Sequence, residues 1–487
     1  MTSRLGLASL GALTLLRLTV AAAAPLAPDE AYYWVWSRAL APGYPDHPPM
    51  VALWVRLGTF VAGDTPLGIR LLGPLSAALA SLLLADAAEC LLPGRRAGLW
   101  SATLLNATLM LGVGAVIMTP DTPLLFFWTC CLWAAARLLR RGLAAWWLAV
   151  GLFAGLAMAS KYTAAFLWLG IPLWLVATPS LRGQLLRPAS WLGALLGLTV
   201  FLPVVLWNAE HGWASVARQG GRLAEWQAAN AVRFLGELIG GQIGLATPLV
   251  FLLFAAGTVH AVRLAWRTCD PAWTLLAALT VPPTLVFVQH AVGDRVQGNW
   301  PAIIYPAAAI AAAGLMAPTW RALHAPAAAL GLAITLLVYL QAGWAIIPLP
   351  VGLDPIALRL LGWKTLAGRI ADVGREQGAA FVAADQYGVA AELALDVPRD
   401  LRGNLPVVGT EPRWALFDLP RPVLAGKVGI LVQSSRRGGP DRSRWSDVSE
   451  LAEVERNLDG KAVETFRIFR VTGNVNNEPA ALLPAPR

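Results

Sequence analysis

Apolar residues run through this chain in stretches of about 20 that carry no charge or a single one, the length a helix needs to cross a hydrocarbon layer of roughly 30 Å. The first run covers residues 4–24; others follow at 68–92, 98–117, 122–139, 146–160, 162–178, 190–208, 236–262, 273–292, 301–318 and 326–347. The pattern predicts a polytopic α-helical membrane protein of about 11 transmembrane helices. Past residue 350 the pattern changes. Apolar runs at 379–384 and 428–432 alternate with a helical stretch at 388–395, which predicts a small soluble α/β domain over 351–475. Residues 476–487, rich in Pro, Ala and Asn, are expected to form a disordered tail. Residues 1–350 are then one membrane domain with a long outer loop at 25–66.

The first run has the outline of a signal peptide, with Arg4, an apolar middle and small residues at Ala21 to Ala24. Its length and the interrupting Arg17 favour an uncleaved first span. Either way, residue 25 emerges on the same side of the membrane.

Composition agrees with the periodicity. Of 487 residues 57% are hydrophobic and only 14% charged, more apolar surface than a soluble globular chain uses. The net charge of +9 does not point to nucleic acid, because the arginines are spread over short loops instead of one face. Arg95 and Arg96, Arg137 with Arg140 and Arg141, Arg182 and Arg187, Arg263 and Arg267, and Arg321 fall in every second connection, which the positive-inside rule assigns to the cytoplasm. The amino terminus is then cytoplasmic and the C-terminal domain periplasmic, at a bacterial inner membrane. The four cysteines, Cys90, Cys130, Cys131 and Cys269, lie in or beside apolar runs without metal-ligand spacing.

The loops on the outer side hold the polar residues. Asp29-Glu30-Ala31-Tyr32-Tyr33-Trp34 opens the first of them and Asp46-His47-Pro48-Pro49 follows; further on come Thr119-Pro120-Asp121, Lys161, the segment 208–233 and the segment 293–300. The aromatics after Glu30 suit a helix lying among lipid headgroups, and Pro48 and Pro49 suit the start of a second surface helix reaching about residue 62. Asp29 could equally cap its helix, with Glu30 favoured by the helix dipole. Lys161 could reach out to the headgroups. Yet charge at the membrane edge is kept mainly where it works, and here it gathers on one side.

In combination, the Asp-Glu/Tyr-Tyr-Trp loop, Asp46-His47-Pro48-Pro49, Thr119-Pro120-Asp121, Ser160-Lys161-Tyr162-Thr163, Leu206-Trp207-Asn208-Ala209-Glu210-His211 and Gly298-Asn299-Trp300-Pro301 resemble the bacterial branch of the dolichyl-phosphate-mannose protein mannosyltransferase superfamily. That branch is similar to the lipid A aminoarabinose transferases, which have the GT-C fold. The segment Ala384-Asp385-Gln386-Tyr387 also looks like the outer domain of this branch. The resemblance implies transfer of a sugar from a polyprenyl-phosphate donor to a hydroxyl of lipid A, another envelope lipid or glycan, or a protein at the periplasmic face, with inversion.

It also implies that Asp29 is catalytic, with Glu30 beside it. His47, Lys161, Tyr32, Tyr33, Arg295 and Asn299 are the candidates for holding the donor's phosphate and sugar. Asp46, Asp121, Asn208 and His211 are candidate supports. A divalent cation is a candidate cofactor, with Glu30, Asp46, His47 and Asp121 as its candidate ligands. Two positions depart from the aminoarabinose pattern: Tyr32 stands where that branch has an Arg, and His47 where it has a Lys, which argues against aminoarabinose as the sugar. A lipid or solute transporter is the rival reading. Against it, the ionisable residues lie at one face and not near the midplane, and no paired broken helices occur in matching halves.

Overall fold

The structure, a computed structural model, describes residues 4–221, 227–350, 353–398, 405–458, 461–474 and 480–486. Part of the expected 208–233 loop and part of the expected tail lie outside the described residues. The chain forms two compact units, one of Met1–Thr19, Pro45–Val51 and Leu72–Tyr339, the other of Val20–Tyr44, Ala52–Leu71 and Leu340–Arg487.

Among the described residues seven helices are long and apolar enough to cross a membrane: Arg4–Ala23, Pro66–Leu91, Asp121–Arg141, Pro188–Glu210, Pro248–Thr268, Pro271–Ala291 and Pro318–Trp344. An eighth candidate is the pair Tyr162–Ala177 and Pro179–Leu186, bent by 119°, and Met50–Ala62, Trp146–Met158 and Trp300–Ala313 are shorter apolar helices. The apolar runs read from sequence are therefore not all unbroken spans. The run 98–117 divides into Ala97–Asn106 and Leu109–Gly114, because the Thr108 hydroxyl accepts the Leu111 N–H and caps a new helix. The run 236–262 divides at Thr247, whose φ of 68° ends one helix before Pro248 starts the next.

The first unit is held by small residues that let helix backbones meet. Gly151 and Gly155 on Trp146–Met158 face Gly193 and Gly197 on Pro188–Glu210, so closely that a Cβ at Gly151 would stand 1.7 Å from the Gly193 carbonyl oxygen. The helix Tyr305–Ala313, with six alanines, is buried over its whole length in the same core. Arg17 is fully buried here and donates to Asn106 Oδ1 at 2.9 Å and to the Tyr339 hydroxyl at 3.2 Å. The residue that interrupts the first apolar run thus ties it to two other helices.

The second unit contains a six-stranded sheet in the order β4-β5-β3-β1-β2-β6, where β1 is Val382–Ala384, β2 Val407–Gly409, β3 Val428–Ser434, β4 Trp445–Leu458, β5 Lys461–Gly473 and β6 Ala481–Leu482. β1 runs parallel to both neighbours, β2 and β3, and the remaining pairs are antiparallel. The helices Trp363–Glu376 and Tyr387–Asp396 pack with it. The α/β pattern read beyond residue 350 is this sheet. Within the described part of the expected disordered tail, Ala481–Leu482 instead form strand β6, which pairs with β2, and Leu483 N–H donates to the Val407 carbonyl at 2.9 Å.

The helix Pro28–Arg38 belongs to this second unit and packs on Tyr387–Asp396, with Pro28 against Gly388. A Cβ on Gly388 would meet Pro28 Cβ at 2.9 Å.

Candidate functional site

Pro28 fixes the first turn of its helix, and Glu30, three residues past the preceding Ala27, accepts the Ala27 N–H at 3.0 Å. The Asp29 cap expected from sequence is therefore made by Glu30. Both Glu30 oxygens are also taken by Arg70, at 2.7 Å from Nε and 2.5 Å from Nη2, and both side chains are fully buried. The rest of the Arg70 fork donates to the carbonyls of Ala21, Ala24 and Pro25. A carboxylate held this way is a strut for the turn, not a proton acceptor. This corrects the expectation of Glu30 as a catalytic group.

Asp29 is different. It is exposed, and its Oδ1 accepts the Tyr387 hydroxyl at 2.9 Å, a contact that links residues 358 apart within the second unit. The Arg413 guanidinium lies 4.0 Å from the Tyr387 ring centroid and pairs with Glu411 at 2.7 Å, while Glu411 accepts the Tyr387 N–H at 2.8 Å. Tyr387 is thus fixed from three sides. Tyr32 and Tyr33, expected to face the donor, are buried instead: Tyr32 packs against Trp36, Tyr387, Trp414 and Phe417. Their helix buries its aromatics in protein, so the reading of a helix lying among headgroups is corrected too.

Glu392, on the same helix as Tyr387, is fully buried, and one of its oxygens finds no hydrogen bond among the described residues. Burial first, then the charges of Asp396 and Glu30, push its carboxyl well above the usual glutamate range, against the pull of Arg456 and Arg70. A carboxyl raised in the folded state adds stability that is complete below its unfolded pKa and is lost as pH rises through the folded one. Thermal unfolding followed from about pH 5 to about pH 9 should therefore show stability falling at the alkaline end, and Glu392→Gln should raise it there and flatten the profile. An unchanged profile in the variant would mean that Glu392 does not set it.

The first unit holds a second polar group. Lys161 sits in the extended break between Trp146–Met158 and the turn Tyr162–Ala164, with Nζ 2.8 Å from both oxygens of Asp121. Asp121 opens the helix Asp121–Arg141 and also accepts from Asn299 Nδ2 at 2.6 Å. Lys161 and Asp121 are both buried. An ammonium has three donors, and the described residues use two, which leaves one for a ligand anion.

Asn208 joins a neighbouring network: its Oδ1 accepts the Ser215 hydroxyl at 2.6 Å, its Nδ2 donates to the Tyr162 hydroxyl at 3.3 Å, and the two hydroxyls lie 2.5 Å apart. His211 stacks on Trp207 at 4.2 Å. Asp46 pairs with Arg218 at 2.5 Å, and its carbonyl accepts from Gln219 at 2.6 Å, which fastens the segment that carries the half-buried His47. Arg295, expected beside Lys161, is exposed and pairs with Glu237 at 3.0 Å.

Of the residues expected to act, the first unit thus brings Asp121, Lys161 and Asn299 together, and the second places Asp29 on Tyr387. Among the described residues no three His, Cys, Asp or Glu side chains are placed to hold a metal ion. Glu30 and Asp121 spend their oxygens on Arg70 and on Lys161 with Asn299. Sequence reading gave no role to Arg70, Arg218, Tyr387 or Arg413. Arg70 alone carried a signal, as an arginine at the edge of an apolar run.

Comparison with known proteins bears on the fold and on the chain's relatives. Residues 46–207 match the family model described as dolichyl-phosphate-mannose-protein mannosyltransferase. The chain is 28% identical over 369 residues, 75% of its length and 76% of the relative's, to the lipid A galacturonosyltransferase RgtD of Rhizobium johnstonii. Its fold is that of ArnT from Cupriavidus metallidurans, solved with undecaprenyl phosphate, at a TM-score of 0.63 and 15% identity over 97% of this chain and 99% of that one. The apo state of the same protein superposes at a TM-score of 0.58, over 95% of this chain and 97% of that one.

Proposed function

We propose that this chain, a multi-pass membrane protein with the GT-C fold, is a glycosyltransferase that moves a sugar from a polyprenyl-phosphate donor to a hydroxyl of a lipid acceptor. The observation that carries the reading is the buried Lys161, held by both oxygens of Asp121 at 2.8 Å and flanked by Asn299. A cation fixed at a membrane edge with one donor to spare suits a lipid-linked phosphate. The likeness to the lipid A galacturonosyltransferase RgtD supports an acceptor of the lipid A kind. Tyr32 and His47, at positions where the aminoarabinose branch has Arg and Lys, weigh against aminoarabinose as the sugar.

The reaction is one displacement. The acceptor oxygen bonds to the anomeric carbon, the bond from that carbon to the phosphate oxygen breaks, and polyprenyl phosphate leaves as an anion. Asp29 takes the acceptor proton, and Lys161 meets the charge that develops on the phosphate. In this reading the outer domain and the loop with Asp29 face the periplasm, which the arginine distribution supports.

Lys161→Met keeps the stem and removes the charge. A charge-assisted hydrogen bond is worth about 1.5–3 kcal/mol, so polyprenyl-phosphate affinity, measured by titration of the purified protein in detergent, should fall about 10- to 100-fold. Lys161→Arg, which keeps the charge, should recover part of it. Unchanged affinity in a folded Lys161→Met variant would remove the phosphate role.

A further inference from the structure

The sheet carries a polar cavity that none of the roles above uses. From β1 the chain leaves through the helix Tyr387–Asp396 to β2 on one side, while β3, on the other side of β1, leads away to β4 and β5. Where connections diverge like this beyond the carboxyl ends of parallel strands, they leave a crevice. A cavity of about 170 Å³ lies there, lined by Asp385 after β1, Thr410 and Glu411 after β2, Arg437 after β3, and Arg444 and Trp445 at the start of β4. That is on the order of five water molecules' share of liquid volume, room for one small polar ring.

The cavity's charges are already balanced. Arg437 pairs with Asp385 Oδ2 at 3.1 Å, Arg444 with Asp441 at 3.2 Å, and Glu411 with Arg413 at 2.7 Å. Arg444 also donates to the Thr410 carbonyl, and Gln433 donates to Asp385 Oδ2 at 2.7 Å. Asp385 Oδ1 is left buried with no hydrogen-bond partner among the described residues. A buried carboxylate oxygen without a donor is costly, so the missing partner is a group that offers O–H or N–H. An anion meets three carboxylates there, Asp385, Glu411 and Asp441. Planar charged groups beside the apolar faces of Trp445 and Pro412 suit a ring with many hydroxyls. One further contact joins the cavity to the candidate base: Glu411 lines it and accepts the Tyr387 N–H, and the Tyr387 hydroxyl donates to Asp29.

We propose that this crevice binds an uncharged saccharide ring and, resting on the transferase reading, that the ring belongs to the acceptor. Saturation-transfer difference NMR on the full chain in detergent tests it, with galactose and N-acetylglucosamine as probes and inorganic phosphate as competitor. Saturable transfer to the ring protons is expected, at the millimolar affinity usual for a single small ring, with no displacement by phosphate. Asp385→Asn should weaken binding about tenfold, the worth of one hydrogen bond to a charged group. Arg437→Ala, at a half-exposed position, should weaken it as well and guards against a misfolded first variant. Both variants should raise the acceptor KM.

Lys161→Met should keep the sugar signal, so loss of the transferase reading and loss of this site are separable. Equal signal in wild type and both variants, displacement by phosphate, or a lost signal with an unchanged acceptor KM would each overturn the proposal.

Discussion

Asp29→Asn should lower sugar transfer by about 10²- to 10⁴-fold, the range that a positioned general base contributes. The substitution is isosteric, and the asparagine oxygen can still accept the Tyr387 hydroxyl that reaches Oδ1 at 2.9 Å. Thermal stability should therefore change little, which separates a lost base from a lost fold. Donor affinity should also hold, because phosphate binding is assigned to Lys161 and not to Asp29. Membranes carrying the variant, supplied with labelled donor and acceptor, give the rate directly. Near-normal transfer would remove Asp29 as the base and leave the Tyr387 contact as a packing feature of the second unit.

Arg70→Ala should be the most destabilising single change in the second unit. It removes both hydrogen bonds to Glu30 and three to the carbonyls of Ala21, Ala24 and Pro25, and leaves a buried carboxylate without its cation. Breaking one partner of a buried pair typically costs about 3–5 kcal/mol, most of it the cost of the stranded charge. Joint replacement, Glu30→Gln with Arg70→Met, should recover much of that stability but little activity, since the carbonyl clamp on the turn before Asp29 stays open. Thermal unfolding of the purified variants reads the first effect and transfer assays the second. Equal stability of Arg70→Ala and wild type would show that the pair does not hold the turn.

The sequence announced its membrane class and its outer α/β domain through periodicity and composition, because both are local properties of the chain. Asp29, Asp121, Lys161 and Asn299 were legible as polar residues in an apolar setting. Their partners were not. Hydrophobic pattern reports that a side chain is buried, not which side chain covers it, so Tyr32 read as an aromatic for a donor when Tyr387, Trp414 and Phe417 of the sheet domain cover it. Glu30 read as a second catalytic acid because nothing in residues 25–66 announces Arg70 as its partner. The breaks at Thr108 and Thr247 were hidden for a related reason: each lies within a continuous apolar run, and only the hydrogen bond of one and the backbone angle of the other end a helix there.

The second unit is assembled from residues near both ends of the chain, with the whole of Leu72–Tyr339 made in between. At translation rates of about 5–20 residues per second, the aromatic helix that carries Asp29 waits on the order of tens of seconds before the strands and rings that cover it leave the ribosome. During that interval Tyr32, Trp36 and the Glu30 turn lack their final neighbours, so the nascent protein has a use for a chaperone. It also follows that a chain cut short before Tyr387 carries the candidate base with nothing to orient it, and premature termination yields an inert product instead of an unregulated one.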